Sequence, residues 1–170
     1  MKFVYNHAFA PAWLDEATAL TAVQQAASAW AACGVPVSVT GIHGSGVVPR
    51  GSISIAWSEQ GSRHNFGLSN MGERTISLGS SAFQLLQTRN ANYDSRQTLQ
   101  MVISHEMGHL FGVIAHSRRC VDVTSYYDDG KGGQCSIRAE GSLPAGVEYR
   151  SMFPTACDIQ RCRKANAQVP

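Results

Sequence analysis

The stretch Leu99-Gln100-Met101-Val102-Ile103-Ser104-His105-Glu106-Met107-Gly108-His109-Leu110-Phe111-Gly112 decides how this chain is read. Leu99, Val102, Ile103 and Leu110 recur at helical spacing, and Asn92 or Asp94 stands upstream as a cap. The pattern predicts a helix that ends at Gly112. Two histidines four residues apart on a helix share one face, so His105 and His109 can reach a single metal ion. Glu106 projects beside them without ligating. Its carboxylate can take a proton from a water activated by the metal and pass it to a leaving amine. Gly112 can adopt positive φ, end the helix sharply and return the chain toward the metal, which brings His116 within reach as a third ligand. The plain alternative is a surface helix that happens to carry His, Glu and His.

On the N-terminal side, Phe66 to Asn70 and Arg74 to Leu78 read as two short strands joined by a turn at Met71-Gly72-Glu73. The first is a candidate edge strand. Its backbone around Gly67, Leu68 and Ser69 offers hydrogen bonds to an extended peptide, a buried hairpin being the competing reading. Leu14 to Cys33 is Ala-rich, with Leu20, Val23, Ala27 and Trp30 at helical spacing, Asp15 and Glu16 at its favourable end, and Gly34 and Pro36 as stop signals. Lys2 to Tyr5, Val37 to Thr40 and Ile53 to Trp57 read as strands, the last two from apolar and small or polar residues in alternation.

Beyond Ser117 the chain turns irregular, rich in Gly, Pro, Cys and polar residues, with a short terminal helix expected around 159–164. At 170 residues this is one domain with a sizeable core. A formal charge of +2 with dispersed Lys and Arg argues against a nucleic-acid partner, and no run of about 20 apolar residues argues for membrane insertion. The N-terminus has no signal-peptide stretch, so the chain reads as a trimmed mature domain or an intracellular protein. Among the five cysteines, Cys120, Cys135, Cys157 and Cys162 crowd into the last third, as disulfides stapling an irregular region would, and this favours a secreted or extracytoplasmic protein. Reduced cytoplasmic thiols, with Cys33 merely buried, are the alternative.

The extended motif His105-Glu106-x-x-His109-x-x-Gly112, together with Ser151-Met152-Phe153-Pro154, resembles the metzincin clan of zinc peptidases, and within it the matrixin-like catalytic domain. The order of elements over about residues 2 to 156 agrees; only the two motifs are specific. The resemblance implies an α+β fold: a twisted mixed sheet packed on two long helices, then an irregular C-terminal subdomain. The single catalytic domain would divide into 1–112 and 113–170. It further implies one catalytic Zn2+, endopeptidase activity on a polypeptide substrate by a monomer, and Met152 in a Met-turn beneath the metal. The wall of the pocket just past the scissile bond would lie near Pro154, Thr155 and Ala156.

One departure stands out. The family's third histidine falls three residues after the glycine, where this chain has Ala115, and His116 comes one residue late. A one-residue insertion within Val113-Ile114-Ala115 accounts for it; Asp122, Cys120, Glu140 and Glu148 are the competing third ligands. Asp128 and Asp129 could ligand calcium, but their loop lacks the alternating oxygens and closing Glu of an EF-hand, so a solvated turn is preferred. A second, structural zinc finds no support. The rival function is a catalytically inactive metzincin-like binding module.

Overall fold

The structure, a computed structural model, describes residues 1–90, 92–126, 135–136 and 149–167. The alternating stretches form strands β1 (Lys2–Asn6), β2 (Ser38–Ile42) and β3 (Ile53–Trp57). In β3 the buried residues are Ile53, Ile55 and Trp57, with Ser54 and Ala56 half-buried, as the two-residue period requires. The expected hairpin is present as β4 (Gly67–Asn70) antiparallel to β5 (Thr75–Leu78). Among the described residues the sheet has five strands in the order β2-β1-β3-β5-β4, and every other pairing is parallel. β4 is therefore an edge strand, with one row of backbone groups turned away from the sheet.

Parallel β1 and β2 require a crossover, which α1 (Glu16–Ala31) supplies. Asp15 caps it by accepting the Thr18 N–H at 2.8 Å. The inner face of α1 carries Ala19, Ala22, Val23, Ala26, Ala27 and Trp30, all buried. Those small side chains let α4 (Ser95–Leu110) lie close: the Trp30 indole N–H donates to the Ser104 carbonyl at 2.8 Å and the Gln100 amide to the Ala22 carbonyl at 3.1 Å. Asp94, one of the two expected caps, starts α4 by accepting the N–H groups of Arg96 and Gln97. Twelve of the sixteen residues of α4 are buried, so its histidines and glutamate do not belong to a surface helix.

Two helices lie outside the expected elements: α2 (Glu59–Ser62), one turn capped by Ser58, which accepts the Gly61 N–H at 3.0 Å, and α3 (Ser80–Arg89). α3 buries only Phe83 and starts at Gly79 without a side-chain cap, so neither periodicity nor capping marks it. α5 (Ala156–Asn166) is longer than the expected 159–164 because Thr155 and Asp158 form a capping box at its start.

Two disulfides are present among the described residues. Cys120–Cys135 closes a local loop, and Cys33–Cys162 ties the end of α1 to α5 across 129 residues of sequence. Cys33 is thus not merely buried, and Cys157 is the free thiol. Replacing both Cys33 and Cys162 by Ser is expected to lower stability by about 2–5 kcal/mol, because the long loop is no longer closed in the unfolded chain. An unchanged denaturant midpoint would refute that link.

Tyr5 lies fully buried on β1, its hydroxyl accepting the Trp57 indole N–H at 3.0 Å and lying 2.8 Å from His7 Nδ1. Burial pushes its pKa from 10.0 up to about 12. A group whose folded pKa is raised contributes stability that is complete below the unfolded value and is lost as pH climbs through the folded one. Stability should therefore fall between pH 10 and 12, by about 3 kcal/mol from this residue. In Tyr5→Phe, denaturant titrations across that range should show a shallower decline.

Candidate metal centre

Helical spacing places His105 and His109 one turn apart on α4, and the chain beyond it delivers His116 to the same point. The His105 Nε2 lies 3.2 Å from the His116 Nε2 and 3.3 Å from the His109 Nε2, and all three donor atoms fall within 4.8 Å of one another. Two of the rings are oriented from behind. His105 Nδ1 faces the Val123 carbonyl at 2.8 Å and His109 Nδ1 faces the Val113 carbonyl at 3.0 Å. A carbonyl only accepts, so each Nδ1 carries the proton and each Nε2 presents a lone pair.

Such lone pairs repel unless a cation sits between them. A tetrahedral zinc about 2.0–2.1 Å from each nitrogen sets neighbouring ligand nitrogens about 3.3 Å apart, which the observed separations match. Burial, with the charges of His109 and Arg150, holds His105 well below the usual imidazole range, and burial lowers His116 too. The neutral, ligating form is the one this environment favours. The donor set fits zinc.

His116 reaches the centre because Gly112 sits at φ +89°, a left-handed conformation that a glycine adopts without strain. The Val113 N–H then donates back to the Gly108 carbonyl at 3.0 Å, closing the helix end. The loop absorbs the additional residue: Ile114 is exposed, and Ala115, at the family's third-histidine position, offers only its carbonyl, which Arg161 takes. Behind the loop, Asp122 accepts the hydroxyls of Ser117 at 2.6 Å and Thr155 at 2.7 Å, and Asp158 accepts the Val123 N–H at 3.0 Å. Those bonds engage Asp122, and Cys120 is in a disulfide, so neither stands as a third ligand. Glu140, Glu148, Asp128 and Asp129 lie outside the described residues.

Glu106 is buried beside the histidines, and its Oε2 accepts the Ser69 N–H at 2.8 Å. Burial pushes its pKa up, against the pull of the His109 charge and the Ser69 bond. Gly67 and Leu68 join Glu106 and the three histidines in lining a cleft of about 320 Å³. The edge strand and the motif thus face one cavity.

The Met152 carbonyl accepts the hydroxyl of Ser104, the residue before His105, at 2.6 Å, and the Met152 side chain is 37% exposed beside Gln97 and Gln100. Thr124 packs against the motif at Gly108, its methyl coming within 2.8 Å of a Cβ there; the tight fit of Thr124 and Trp30 leaves room for glycine alone. Thr155 caps α5, its hydroxyl committed to Asp122 and Asp158, and neither it nor Pro154 is among the described residues lining the cleft of about 320 Å³.

Four further residues matter that sequence reading passed over. Val123 acts through its backbone, which no side-chain pattern reveals. Asp158 was visible in the Thr155-x-x-Asp158 capping box. Tyr126 packs edge-on against His116 with ring centroids 5.7 Å apart, and Arg150 lines the cleft; neither carries a local signal.

No family model matches the chain, and no curated protein matches it. Solved structures do. A zinc-dependent peptidase from Methanocorpusculum labreanum (strain Z) superposes over 95% of this chain and 100% of that one, at a TM-score of 0.53 and 10% identity. At that identity the likeness is one of fold. A chain of the GM1-bound form of the ECX AB5 holotoxin matches 65% of this chain at a TM-score of 0.41 and 14% identity; the match spans 50% of that chain's length and carries no argument. The fold is α+β, shared with that solved peptidase structure, and the histidine triad is a possible metal site.

Proposed function

We propose that this chain is a zinc-dependent endopeptidase of metzincin type, with His105, His109 and His116 holding one zinc and Glu106 serving as general base and then acid. The observation that carries the reading is the convergence of three Nε2 atoms beside a buried carboxylate that touches an edge strand. Fold likeness to a solved zinc-dependent peptidase over nearly the whole of both chains supports it. Bound there, zinc supplies an acidified water and polarises a peptide carbonyl.

The chain's own residues do the rest. Glu106, buried and hydrogen-bonded, is suited to holding a proton between its removal from water and its delivery to the leaving amine. β4 aligns an extended substrate by main-chain hydrogen bonds from Gly67 to Ser69, with Leu68 as an apolar contact. The Ser69 N–H bond to Glu106 joins strand and carboxylate, which supports cleavage of a substrate lying along β4 at that level. Two disulfides support an extracytoplasmic setting, and no helix among the described residues is long and apolar enough to cross a membrane.

The test is metal content by elemental analysis alongside cleavage of an unfolded protein. One zinc per chain is expected, with cleavage that a chelator abolishes and added zinc restores. Absence of zinc binding would remove the metal centre; one zinc without cleavage of any unfolded protein or peptide library would favour the inactive binding module.

A further inference from the structure

The three histidines are not held alike. His105 and His109 each set a ring nitrogen against a backbone carbonyl, that of Val123 at 2.8 Å and that of Val113 at 3.0 Å. His116 is the exposed member of the triad, and the ring it meets outside the triad is that of Tyr126, with 5.7 Å between centroids and 63° between planes. That is an edge-to-face pair at an attractive separation. The backbone puts Tyr126 there. The Ser117 N–H donates to the Thr124 carbonyl at 2.9 Å and Ser117 bridges Ser125, so the segments that carry His116 and Tyr126 run against each other. Both anchors are fixed in turn: the Ser117 hydroxyl donates to Asp122 at 2.6 Å, and buried Ser125 donates its hydroxyl to the Cys120 carbonyl at 2.8 Å.

We infer that Tyr126 is a positioning residue of the metal centre, its ring bracing the His116 imidazole so that Nε2 stays aimed at the point the three histidines share. This rests on the zinc reading above. The torsion that turns a histidine ring is broad and roughly two-fold, so an unbraced ring sweeps Nε2 away or exchanges it for Nδ1. In His105 and His109 a hydrogen bond from behind resists that rotation; in His116 the half-buried Tyr126 ring occupies the space through which the imidazole would swing. As the most exposed of the three, His116 has the most room to turn out, so its brace bears on how fast an ion leaves. The ring of Tyr126 does this work and its hydroxyl is not required.

The experiment compares Tyr126→Phe and Tyr126→Ala with the wild type in the full chain, alone and on a His116→Ala background. Zinc affinity and release are followed by competition with a chelator, and the visible absorption of the cobalt-loaded protein reports ligand geometry. Tyr126→Ala is expected to weaken zinc binding by roughly 3- to 10-fold, to speed release and to alter the cobalt spectrum. Tyr126→Phe, which keeps the ring, should match the wild type in all three. On the His116→Ala background Tyr126→Ala should add nothing, because the residue acts through that histidine. A further arm needs no metal. In the metal-free protein the Tyr126 ring should displace the NMR signals of the His116 ring protons in the wild type and Tyr126→Phe, and Tyr126→Ala should return them toward the positions of a free histidine while those of His105 and His109 stay put. Unchanged zinc affinity and cobalt absorption in Tyr126→Ala overturn the inference, as does a loss of equal size in Tyr126→Phe or on the His116→Ala background. If the wild type takes up neither zinc nor cobalt the metal reading fails, and the metal-free signals still decide the brace: His116 resonances indifferent to Tyr126→Ala overturn it.

Discussion

Glu106→Gln is expected to reduce kcat for peptide hydrolysis by roughly 10²- to 10⁴-fold while one zinc per chain is retained. The glutamine keeps the volume of the side chain, and its carbonyl oxygen can still accept the Ser69 N–H now bound at 2.8 Å, so the contact between α4 and β4 persists. What disappears is a group that takes and gives a proton. Substrate binding along β4 should change little, which places the loss in kcat and leaves KM within a few-fold. Glu106→Ala is a poorer probe, because it opens a hole at a buried site and strands the Ser69 amide. Steady-state kinetics paired with zinc analysis makes the measurement. Activity of Glu106→Gln within tenfold of the wild type would sink the assignment of the base.

The parts of this site legible in the sequence are those whose spacing has a geometric meaning. His105 and His109 four residues apart, Gly112 where a helix must stop, and alternation in Ile53 to Trp57 each map onto one conformation, and each is present. The hairpin and its edge position were legible from a turn between two short apolar runs. Legibility ends where a role depends on which distant segment fills a space. Thr124 packs on the motif at Gly108 because Asp158 holds the Val123 N–H and the Thr124 hydroxyl, and α5 is in turn fixed to α1 by Cys33–Cys162. A threonine in a polar loop carries no signal for that place. Thr155, expected near a pocket wall, also starts α5 through its capping box with Asp158 three residues on. Arg150 was unreadable because nothing local ties an arginine in an irregular segment to a cleft built by β4 and α4.

His116→Ala is expected to weaken zinc binding by roughly 10²- to 10³-fold, a share of the total affinity in proportion to one ligand of a few. The prediction turns on the loop of 113–125, because His116 stands one residue beyond the family position. Its Nε2 is nevertheless 3.2 Å from that of His105, and Ala115 at the family position has no ligand atom on its side chain. No neighbour among the described competitors can substitute cheaply: Asp122 would have to give up Ser117 and Thr155, and Cys120 its disulfide. The ring of His116 is more exposed than that of His105, so its removal should cost the fold little and the variant should unfold near the wild-type midpoint when both are metal-free. Cobalt substituted for zinc reports the site independently of activity, since loss of one nitrogen donor alters its visible absorption. Wild-type zinc affinity and an unchanged cobalt spectrum in His116→Ala would overturn the third-ligand assignment. Loss of both, with the fold intact, would establish that a loop one residue longer still closes on the metal because Gly112 turns it and Arg161 holds it.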